Sequence, residues 1–281
     1  MSDPHGARIA TALGVVACVL LIIFALPTEV FFFVALVLFC LATEEFVRLA
    51  RHWSPNAPLR VLLVGVPVCS IGLVVAVRQD LTAGWSPVST VLACACLVIV
   101  TVTLLVLLTR TPITEAAVTI GLLTFALPYF VTPVVSVYLL HRVDPHLIFL
   151  LILQVMVSDA AGYGFGTLIG RHKLAPVVSP KKTWEGAIAG VVLSVAAAVI
   201  WSLIRLGHVT PGFVVLATVI AFVAPLGDLV ESLFKRGAGV KDSAHILPGH
   251  GGFFDRLDAT ILSAPVFLLG AWILGFETFL P

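Results

Sequence analysis

The chain has 281 residues, of which 60% are apolar and only 11% are charged, and its formal net charge is +1. Because soluble domains carry about 25% charged residues, this composition excludes a soluble globular protein and indicates a polytopic membrane protein. The small net charge says little about partners by itself, and we expect no nucleic acid among them.

Nine apolar runs follow one another along the chain, each close to the ~20 residues that a helix needs to cross a bilayer. They lie near residues 9–26, 28–47, 59–77, 87–109, 116–140, 146–170, 186–204, 211–234 and 257–275. The sequence therefore predicts an all-α polytopic membrane protein of about nine transmembrane helices in a single domain, 1–281. Residues 1–140 are expected to supply mainly lipid-facing and scaffold helices, and 141–281 the helices and loops on which catalysis would depend.

Basic residues are distributed unevenly between the two sides of this arrangement. With nine spans, thirteen of them fall on the side of the N-terminus and three, Arg78, Arg142 and Arg205, on the other. Since cytoplasmic loops carry the excess of lysine and arginine, we expect a cytoplasmic N-terminus. The two richest basic loops, 171–182 and 235–256, then face the cytoplasm together.

Three features of the first half are predicted to be structural. Glu44 and Glu45, near the cytoplasmic end of the second run, are interpreted as an ordinary interfacial helix end. Pro128 and Pro133 interrupt the fifth run, which is expected to kink there or to form two shorter pieces. All five cysteines lie in apolar runs, so we expect neither a disulfide nor a zinc site.

The sixth run contains Ser158-Asp159, and glycines recur after it at four-residue spacing, at Gly162, Gly166 and Gly170. Small residues at this spacing allow helices to approach closely. The stripe therefore predicts a helix-packing face.

The basic loop 171–186 leads into the seventh helix. Ser179-Pro180 or Thr183 can start that helix, and its N-terminus would itself attract an anion. Ser179, Lys181 and Lys182 are therefore candidate anion contacts. By itself, a basic juxtamembrane loop more often attracts anionic lipid headgroups.

Asp228, Glu231, Ser232 and Lys235 lie at positions i, i+3, i+4 and i+7 of the eighth run. This spacing places all four on one face of a helix. Ionisable groups within a span are costly and normally face a cavity or one another, so the face is a candidate functional site. The alternative is a structural Glu231–Lys235 pair at the helix end.

Asp255, Arg256 and Asp258 open the ninth helix, and the two aspartates again share a face. Mg²⁺ takes oxygen ligands, usually one or two carboxylates with substrate phosphates and water, and Asp228 with Asp255 would supply them. The alternative is that these acids only cap the start of the helix.

Between the two acidic faces, Gly237–Gly239 and Pro248–Gly252 are too rich in glycine to be helical. Glycine lets backbone amides approach an anion closely, which suits phosphate groups. His250 could donate a hydrogen bond to a phosphate or stabilise the turn, and the residue alone favours the turn.

Four blocks in this order resemble the signature of the phosphatidate cytidylyltransferase (CDP-diacylglycerol synthase) family. They are Ser158-Asp159, Ser179–Gly186, Gly227–Ser232 and the tract from Ser232 to Asp258. The resemblance covers roughly residues 158–258. One departure is the run that follows Asp159, which leaves the role of Tyr163 unassigned.

The resemblance implies transfer of a cytidylyl group from CTP to phosphatidate, which gives CDP-diacylglycerol and pyrophosphate in phospholipid biosynthesis. It implies an enzyme of the cell (inner) membrane whose active site faces the cytoplasm. It also implies a requirement for Mg²⁺, with K⁺ as a second cation, and a homodimer.

The resemblance assigns roles to individual residues as well. The metal ligands would be Asp228 and Asp255, with Glu231 and Asp258 supporting or sharing ligation. The catalytic residues would be Asp228, Asp255, Lys235, Lys241 and Arg256. The substrate-binding residues would be Ser179, Lys181, Lys182, Ser232, Arg236, His250, Gly251 and Gly252.

Two other functions share some of these features. An ion-coupled transporter also has intramembrane acids and proline-broken helices, but it would carry its acids near the midplane, and the sequence has no inverted repeat. A CTP-dependent lipid kinase shares the nucleotide and the membrane but transfers a phosphoryl group. The closing signature favours the cytidylyltransferase over the lipid kinase.

Overall fold

The computed structural model describes residues 4–78, 87–109, 111–241, 243–244 and 251–280. These residues form nine α-helices, one two-stranded hairpin and two short 3₁₀ turns at Leu59–Val61 and Phe276–Phe279. The helices and strands are, in order, α1 (Pro4–Ala25), α2 (Thr28–Ala50), α3 (Leu62–Arg78), α4 (Pro87–Leu108), α5 (Ile113–Val143), α6 (Pro145–Leu168), β1 (Lys173–Ala175), β2 (Ser179–Thr183), α7 (Trp184–Leu206), α8 (Pro211–Gly237) and α9 (Phe254–Leu274).

Seven helical segments of the described chain are long and apolar enough to cross a membrane: α2, α3 with the preceding 3₁₀ turn, and α5 to α9. Shorter apolar stretches at Val16–Ala25 and Val98–Leu108 lie in α1 and α4. The protein is thus an all-α polytopic membrane protein, as predicted from its composition. The count of nine spans and the cytoplasmic N-terminus stay predictions.

Helix α5 runs through the middle of the fold and packs against α2, α3, α4, α6 and α9. It continues without a break through Pro128 and Pro133, so the alternative of two shorter pieces is wrong. Hydroxyl groups bond to carbonyls around these prolines, from Thr132 to Pro128 (2.9 Å) and from Ser136 to Thr132 (2.7 Å). At about 46 Å, a helix of this length exceeds the bilayer core of about 30 Å.

Helices α6 and α7 approach closely through small residues. A Cβ atom on Gly186 would lie 2.5 Å from the carbonyl oxygen of Gly162, and one on Gly190 would lie 2.9 Å from that of Ser158. Side chains at these two positions of α7 would force the helices apart. Within the predicted stripe on α6, a Cβ atom on Gly166 would lie 3.2 Å from the hydroxyl of Thr183, so this glycine also lies at the contact. Helix α7 is capped by Thr183, whose hydroxyl accepts from the N–H of Gly186 (3.2 Å), and so Thr183 rather than Ser179-Pro180 starts the helix.

The basic loop before α7 folds into a hairpin that the sequence did not predict. Strands β1 and β2 pair antiparallel, with Lys173 opposite Thr183 and Ala175 opposite Ser179. The ring of His172 contacts Glu185 (Nδ1–Oε1, 2.6 Å), which ties the hairpin to the first turn of α7. The loop is therefore ordered by backbone pairing and carries its basic residues at fixed positions.

The described cysteines lie in the apolar helices of the first half of the chain. Cys18, Cys40 and Cys69 form no disulfide within the described part of the chain, and each lies within an apolar helix. Cys94 and Cys96 belong to the part of α4 whose side chains lie outside the described residues.

Candidate active site

The acidic face of α8 forms as its spacing predicts. Ser232 donates from its hydroxyl to Oδ1 of Asp228 (3.3 Å), and Nζ of Lys235 lies 2.5 Å from Oε2 of Glu231. Glu231 is fully buried, and Ser232 and Lys235 are nearly so, with 7% and 9% exposed. The predicted Glu231–Lys235 pair therefore exists, and it belongs to a larger polar cluster.

Helix α9 meets α8 at Gly227, immediately before Asp228. A Cβ atom on Gly227 would collide with the carbonyl oxygen of Asp258 and lie 2.8 Å from Cα of Ala259. This close approach brings Asp258 beside the acidic face of α8. Ligand oxygens of Asp228, Glu231 and Asp258 all lie within 4.8 Å of one another. We call these three residues the carboxylate cluster.

Asp255 lies beside the carboxylate cluster rather than within it. Its Oδ1 is 2.6 Å from Nζ of Lys235, so this lysine bridges Asp255 and Glu231. Its Oδ2 accepts from the N–H of Gly252 (2.8 Å) and lies 3.0 Å from the hydroxyl oxygen of Ser243. The structure thus brings Asp258 to Asp228, whereas Asp255 contacts Gly252 and Ser243. Ligation of a metal by Asp255 stays a prediction.

Glu45, on α2, also belongs to the site, so its interpretation as an ordinary interfacial end is wrong. Its side chain is only 1% exposed. It accepts hydrogen bonds from the N–H groups of Phe253 (2.8 Å) and Phe254 (3.0 Å) and from the hydroxyl of Ser243 (2.6 Å). The interpretation holds for Glu44, which is exposed and pairs with Arg48 (2.6 Å).

Glu45 acts as the cap of α9. The first N–H groups of a helix have no partner within the helix and attract negative charge. Phe253, which occupies the cap position, supplies no side-chain acceptor, so the carboxylate of α2 accepts from the start of α9 instead. A Cβ atom on Gly252 would collide with Glu45 and Ser243, which explains the glycine at this position.

The sequence contains a signal that could have revealed Glu45. Buried positions of α2 include Ala42, Phe46 and Leu49, which lie three residues before, one after and four after Glu45. A glutamate on this apolar stripe faces the protein interior, whereas Glu44 lies off it. The partner loop, 208 residues away in sequence, could not be inferred from this pattern.

The hairpin contributes Lys182 to the acidic site. Its Nζ lies 2.6 Å from Oδ2 of Asp228 and 3.3 Å from the carbonyl oxygen of Pro225. Arg236, at the end of α8, donates to the carbonyls of Val178 (3.3 Å) and Val240 (3.0 Å), and so it joins the hairpin to α8. These two contacts position the basic loop above the carboxylate cluster.

The remaining predicted residues lie around this centre. Ser179 is partly buried on β2, while Lys181, Lys241 and Arg256 are exposed. Gly251 has a left-handed backbone (φ 74°), and a Cβ atom there would lie 2.6 Å from Oδ2 of Asp255. His250 lies outside the described residues.

Asp159, on α6, is a further acidic group that the predicted site residues did not include. It interacts electrostatically with Asp228, Lys182 and Arg256. The sequence could have indicated this role, because Asp159 is an acid inside a predicted transmembrane span and such residues are usually functional. Tyr163, one turn further along α6, is 76% exposed.

Acidic groups outnumber basic ones in the described site. The four carboxylates of α8 and α9 have two ammonium partners, Lys182 and Lys235, which leaves two negative charges when all are ionised. Asp159 and Arg256 add one charge of each sign, and Glu45 adds one more negative charge. Clustered carboxylate oxygens with this excess of negative charge fit a hard divalent cation, which prefers oxygen ligands.

The sequence matches one known protein family over nearly its whole length. A model described as the Cytidylyltransferase family matches residues 6–274. The chain belongs to the cytidylyltransferase family. The matched range includes Glu45 as well as the acidic helices, so both halves of the chain belong to the family's fold.

Similar proteins in this family carry the name phosphatidate cytidylyltransferase. The one from Mycobacterium bovis is 40% identical over 126 residues, 45% of this chain and 40% of the relative. The one from Haemophilus influenzae is 40% identical over 149 residues, 49% of this chain and 51% of the relative. The one from Staphylococcus epidermidis is 44% identical over 115 residues, 41% of this chain and 44% of the relative. The aligned part thus spans about half the length of these relatives or less.

Proposed function

We propose that this protein is a phosphatidate cytidylyltransferase, which transfers the cytidylyl group of CTP to phosphatidate and releases pyrophosphate. The observation that carries the proposal is the carboxylate cluster of α8 and α9, paired with Lys182 and Lys235, in a membrane-embedded member of the cytidylyltransferase family. The names of the relatives supply the substrate.

The reaction forms one bond and breaks one. A phosphate oxygen of phosphatidate attacks the α-phosphorus of CTP, and the bond from that phosphorus to the bridging oxygen breaks, so that pyrophosphate leaves. A phosphomonoester has its second pKa near 6, about one unit below neutral pH, so the nucleophile needs no protein base. The protein's part is to position the two phosphates and to neutralise their charge.

The carboxylate cluster would hold Mg²⁺, with K⁺ as a second cation. Asp255 would be a further ligand, because Lys235 contacts both Asp255 and Glu231 and so holds the Asp255 carboxylate beside the cluster. When bound, the metal would supply positive charge that offsets the negative charge of the substrate phosphates. Lys182 and Lys235 orient the carboxylates, since each contacts one or two of them directly.

The residues around the cluster would bind the substrates. Exposed cations at the rim would meet the phosphates of CTP and phosphatidate, and the glycine loop with His250 would surround the pyrophosphate group. Hydroxyls of Ser179 and Ser232 would add hydrogen bonds. The rim cations in this assignment are Lys181, Arg236, Lys241 and Arg256.

We propose further that the site faces the cytoplasm from the cell membrane, because thirteen of sixteen basic residues fall on that side of a nine-span arrangement. In this arrangement residues 141–281 supply the substrate-binding helices and loops of a single membrane domain. The family resemblance also supports a homodimer.

The direct test uses the purified full-length protein, phosphatidate and CTP labelled at the α-phosphate, with and without Mg²⁺. We expect label in the lipid and release of pyrophosphate only when Mg²⁺ is present. Soluble labelled CDP would instead indicate a lipid kinase. The absence of CTP turnover in a folded preparation would refute both nucleotide-dependent functions and favour the transporter.

A further inference from the structure

Trp53, in the loop that follows α2, packs against the end of α8 beside the candidate active site. A Cβ atom on Gly237, the last residue of α8, would lie 2.8 Å from Cζ2 of the Trp53 ring. The ring also makes an edge contact with Phe234, with centroids 6.1 Å apart. Trp53 therefore contacts the residues that flank Lys235 and Arg236 in the last turn of α8.

A tight cap follows this last turn. Gly239 has a left-handed backbone (φ 74°), and its N–H group donates to the carbonyl of Arg236 (3.0 Å). The N–H group of Val240 donates to the carbonyl of Lys235 (2.9 Å). This pair of bonds with a left-handed glycine is a common end of a helix. The backbone of Lys235 and Arg236 belongs to the cap, so a contact that shifts the cap shifts both side chains.

Both side chains belong to the site already described. Lys235 bridges Asp255 and Glu231. Arg236 donates to the carbonyl of Val178 and so joins the hairpin to α8. The position of the last turn of α8 therefore determines how these two cations meet the acidic helices and the basic loop.

The loop that carries Trp53 is itself fixed to α5. The hydroxyl of Ser54, a fully buried residue, donates to Oε2 of Glu115 (2.8 Å). The backbone N–H group and the side-chain amide of Asn56 donate to the same carboxylate (3.1 Å and 2.7 Å). Hydrogen bonds to an ionised acceptor are stronger than those between neutral groups. Three of them hold the loop within three residues of Trp53.

We infer that Trp53 is a positioning residue of the active site: its ring, held by the contacts of its loop with Glu115, fixes the last turn of α8 and thereby places Lys235 and Arg236. The inference rests on the proposed function, in which Arg236 meets the phosphates of CTP. It explains the glycine at position 237, since a side chain there would push the turn away from the ring. A tryptophan that only filled space would stabilise the fold without affecting the binding of CTP.

The first test exchanges size between the two contacting residues. Gly237→Ala adds a methyl group 2.8 Å from the ring, so the turn must shift, and we expect the KM for CTP to rise about ten-fold. Phenylalanine at position 53 has a smaller ring that leaves room for this methyl group. The double variant, Trp53→Phe with Gly237→Ala, should therefore return the KM to within about three-fold of the wild type.

The KM for CTP is the deciding quantity because it does not depend on the fraction of enzyme that is folded. A purely structural contact would lower the unfolding temperature and the rate but would leave this KM unchanged. Thermal unfolding and size-exclusion chromatography in detergent, measured on the same samples, show how much of each variant is folded.

The second test removes the ring. Trp53→Ala should raise the KM for CTP about ten-fold. The matched control is Trp272→Ala, which removes the same side chain at a 59% exposed position near the end of α9 that lies away from Asp258, and which should leave the KM unchanged. Glu115→Gln weakens the attachment of the loop, so it should raise the KM about three-fold.

The outcomes separate this inference from the proposed function. If the wild-type protein transfers cytidylyl groups but Trp53→Ala has the same KM for CTP as Trp272→Ala, Trp53 only stabilises the fold and the proposed function stands. A double variant no better than Gly237→Ala leads to the same conclusion. If Gly237→Ala does not fold, the comparison of Trp53→Ala and Glu115→Gln with Trp272→Ala decides. If the wild-type protein transfers no cytidylyl group to phosphatidate, the proposed function is wrong and the positioning role is wrong with it.

Discussion

Replacement of Glu45 by glutamine tests whether the first half of the chain completes the active site. The two carboxylate oxygens accept from the N–H groups of Phe253 and Phe254 and from the hydroxyl of Ser243. Glutamine keeps the size of the side chain but has one acceptor oxygen instead of two. Its NH₂ group must therefore face an N–H group, in either orientation of the amide.

The expected magnitude follows from these contacts. One hydrogen bond to a charged group contributes about 1.5–3 kcal/mol, and a carboxylate at a helix N-terminus contributes about 0.3–1 kcal/mol more. We therefore expect Glu45→Gln to lower stability by about 2–4 kcal/mol. Ser243 contacts both Glu45 and Asp255, so the substitution should also disturb Asp255. If transition-state stabilisation fell by the same free energy, kcat/KM would fall by roughly 30- to 700-fold.

The assay is kcat/KM for CTP at saturating phosphatidate, with thermal unfolding in detergent measured on the same samples. The control is Glu44→Gln, because the neighbouring carboxylate is 44% exposed and its pair with Arg48 (2.6 Å) is a surface ion pair. Such pairs contribute about 0.2–1 kcal/mol, so this variant should lose less than about five-fold. Equal kcat/KM and equal unfolding temperatures for the two variants would refute the role of Glu45.

Three further predictions concern the carboxylate cluster and the residues that pack around it. Gly227→Ala should lower the unfolding temperature and the activity, since its methyl group collides with α9 and overpacking costs about 1–3 kcal/mol; Gly121→Ala, with open space around it, should change neither. Asp258→Asn should shift the Mg²⁺ dependence of activity to higher concentrations, and an unchanged Mg²⁺ titration would remove it from the metal ligands. Lys182→Met should raise the KM for CTP, because Asp228 loses the ammonium group 2.6 Å away; an unchanged KM would show that Lys182 does not help to bind CTP.

The sequence predicted those features that depend on one helix alone. Asp228 and Glu231 share a face with Lys235 because a helix has 3.6 residues per turn, and no tertiary information is needed for that inference. The long apolar helices follow from hydropathy for the same reason. Asp258 as the partner of Asp228 was less accessible, since it depends on the backbone contact at Gly227. The contact at Gly227 determines which residues of α9 lie beside Asp228 on α8.

The hairpin and the cap of α9 were missed for different reasons. Strands β1 and β2 have three and five residues, too short for a strand pattern to stand out in a basic loop. The cap from Glu45 depends on a contact between residues more than 200 positions apart. Local periodicity can show that Glu45 is buried, but it cannot identify the loop that it holds.

The contacts around Glu45 connect the first half of the chain to the carboxylate cluster without a gap. The hydroxyl of Ser243 lies between the carboxylates of Glu45 and Asp255, and the ammonium group of Lys235 bridges Asp255 and Glu231. Glycine has the largest backbone freedom of any residue, so Gly251 and Gly252 need contacts from other residues to hold one conformation. An external group must supply that constraint, and here it is a buried carboxylate on α2. The first half therefore does more than face lipid, since α2 holds the loop that orients Asp255 beside the cluster.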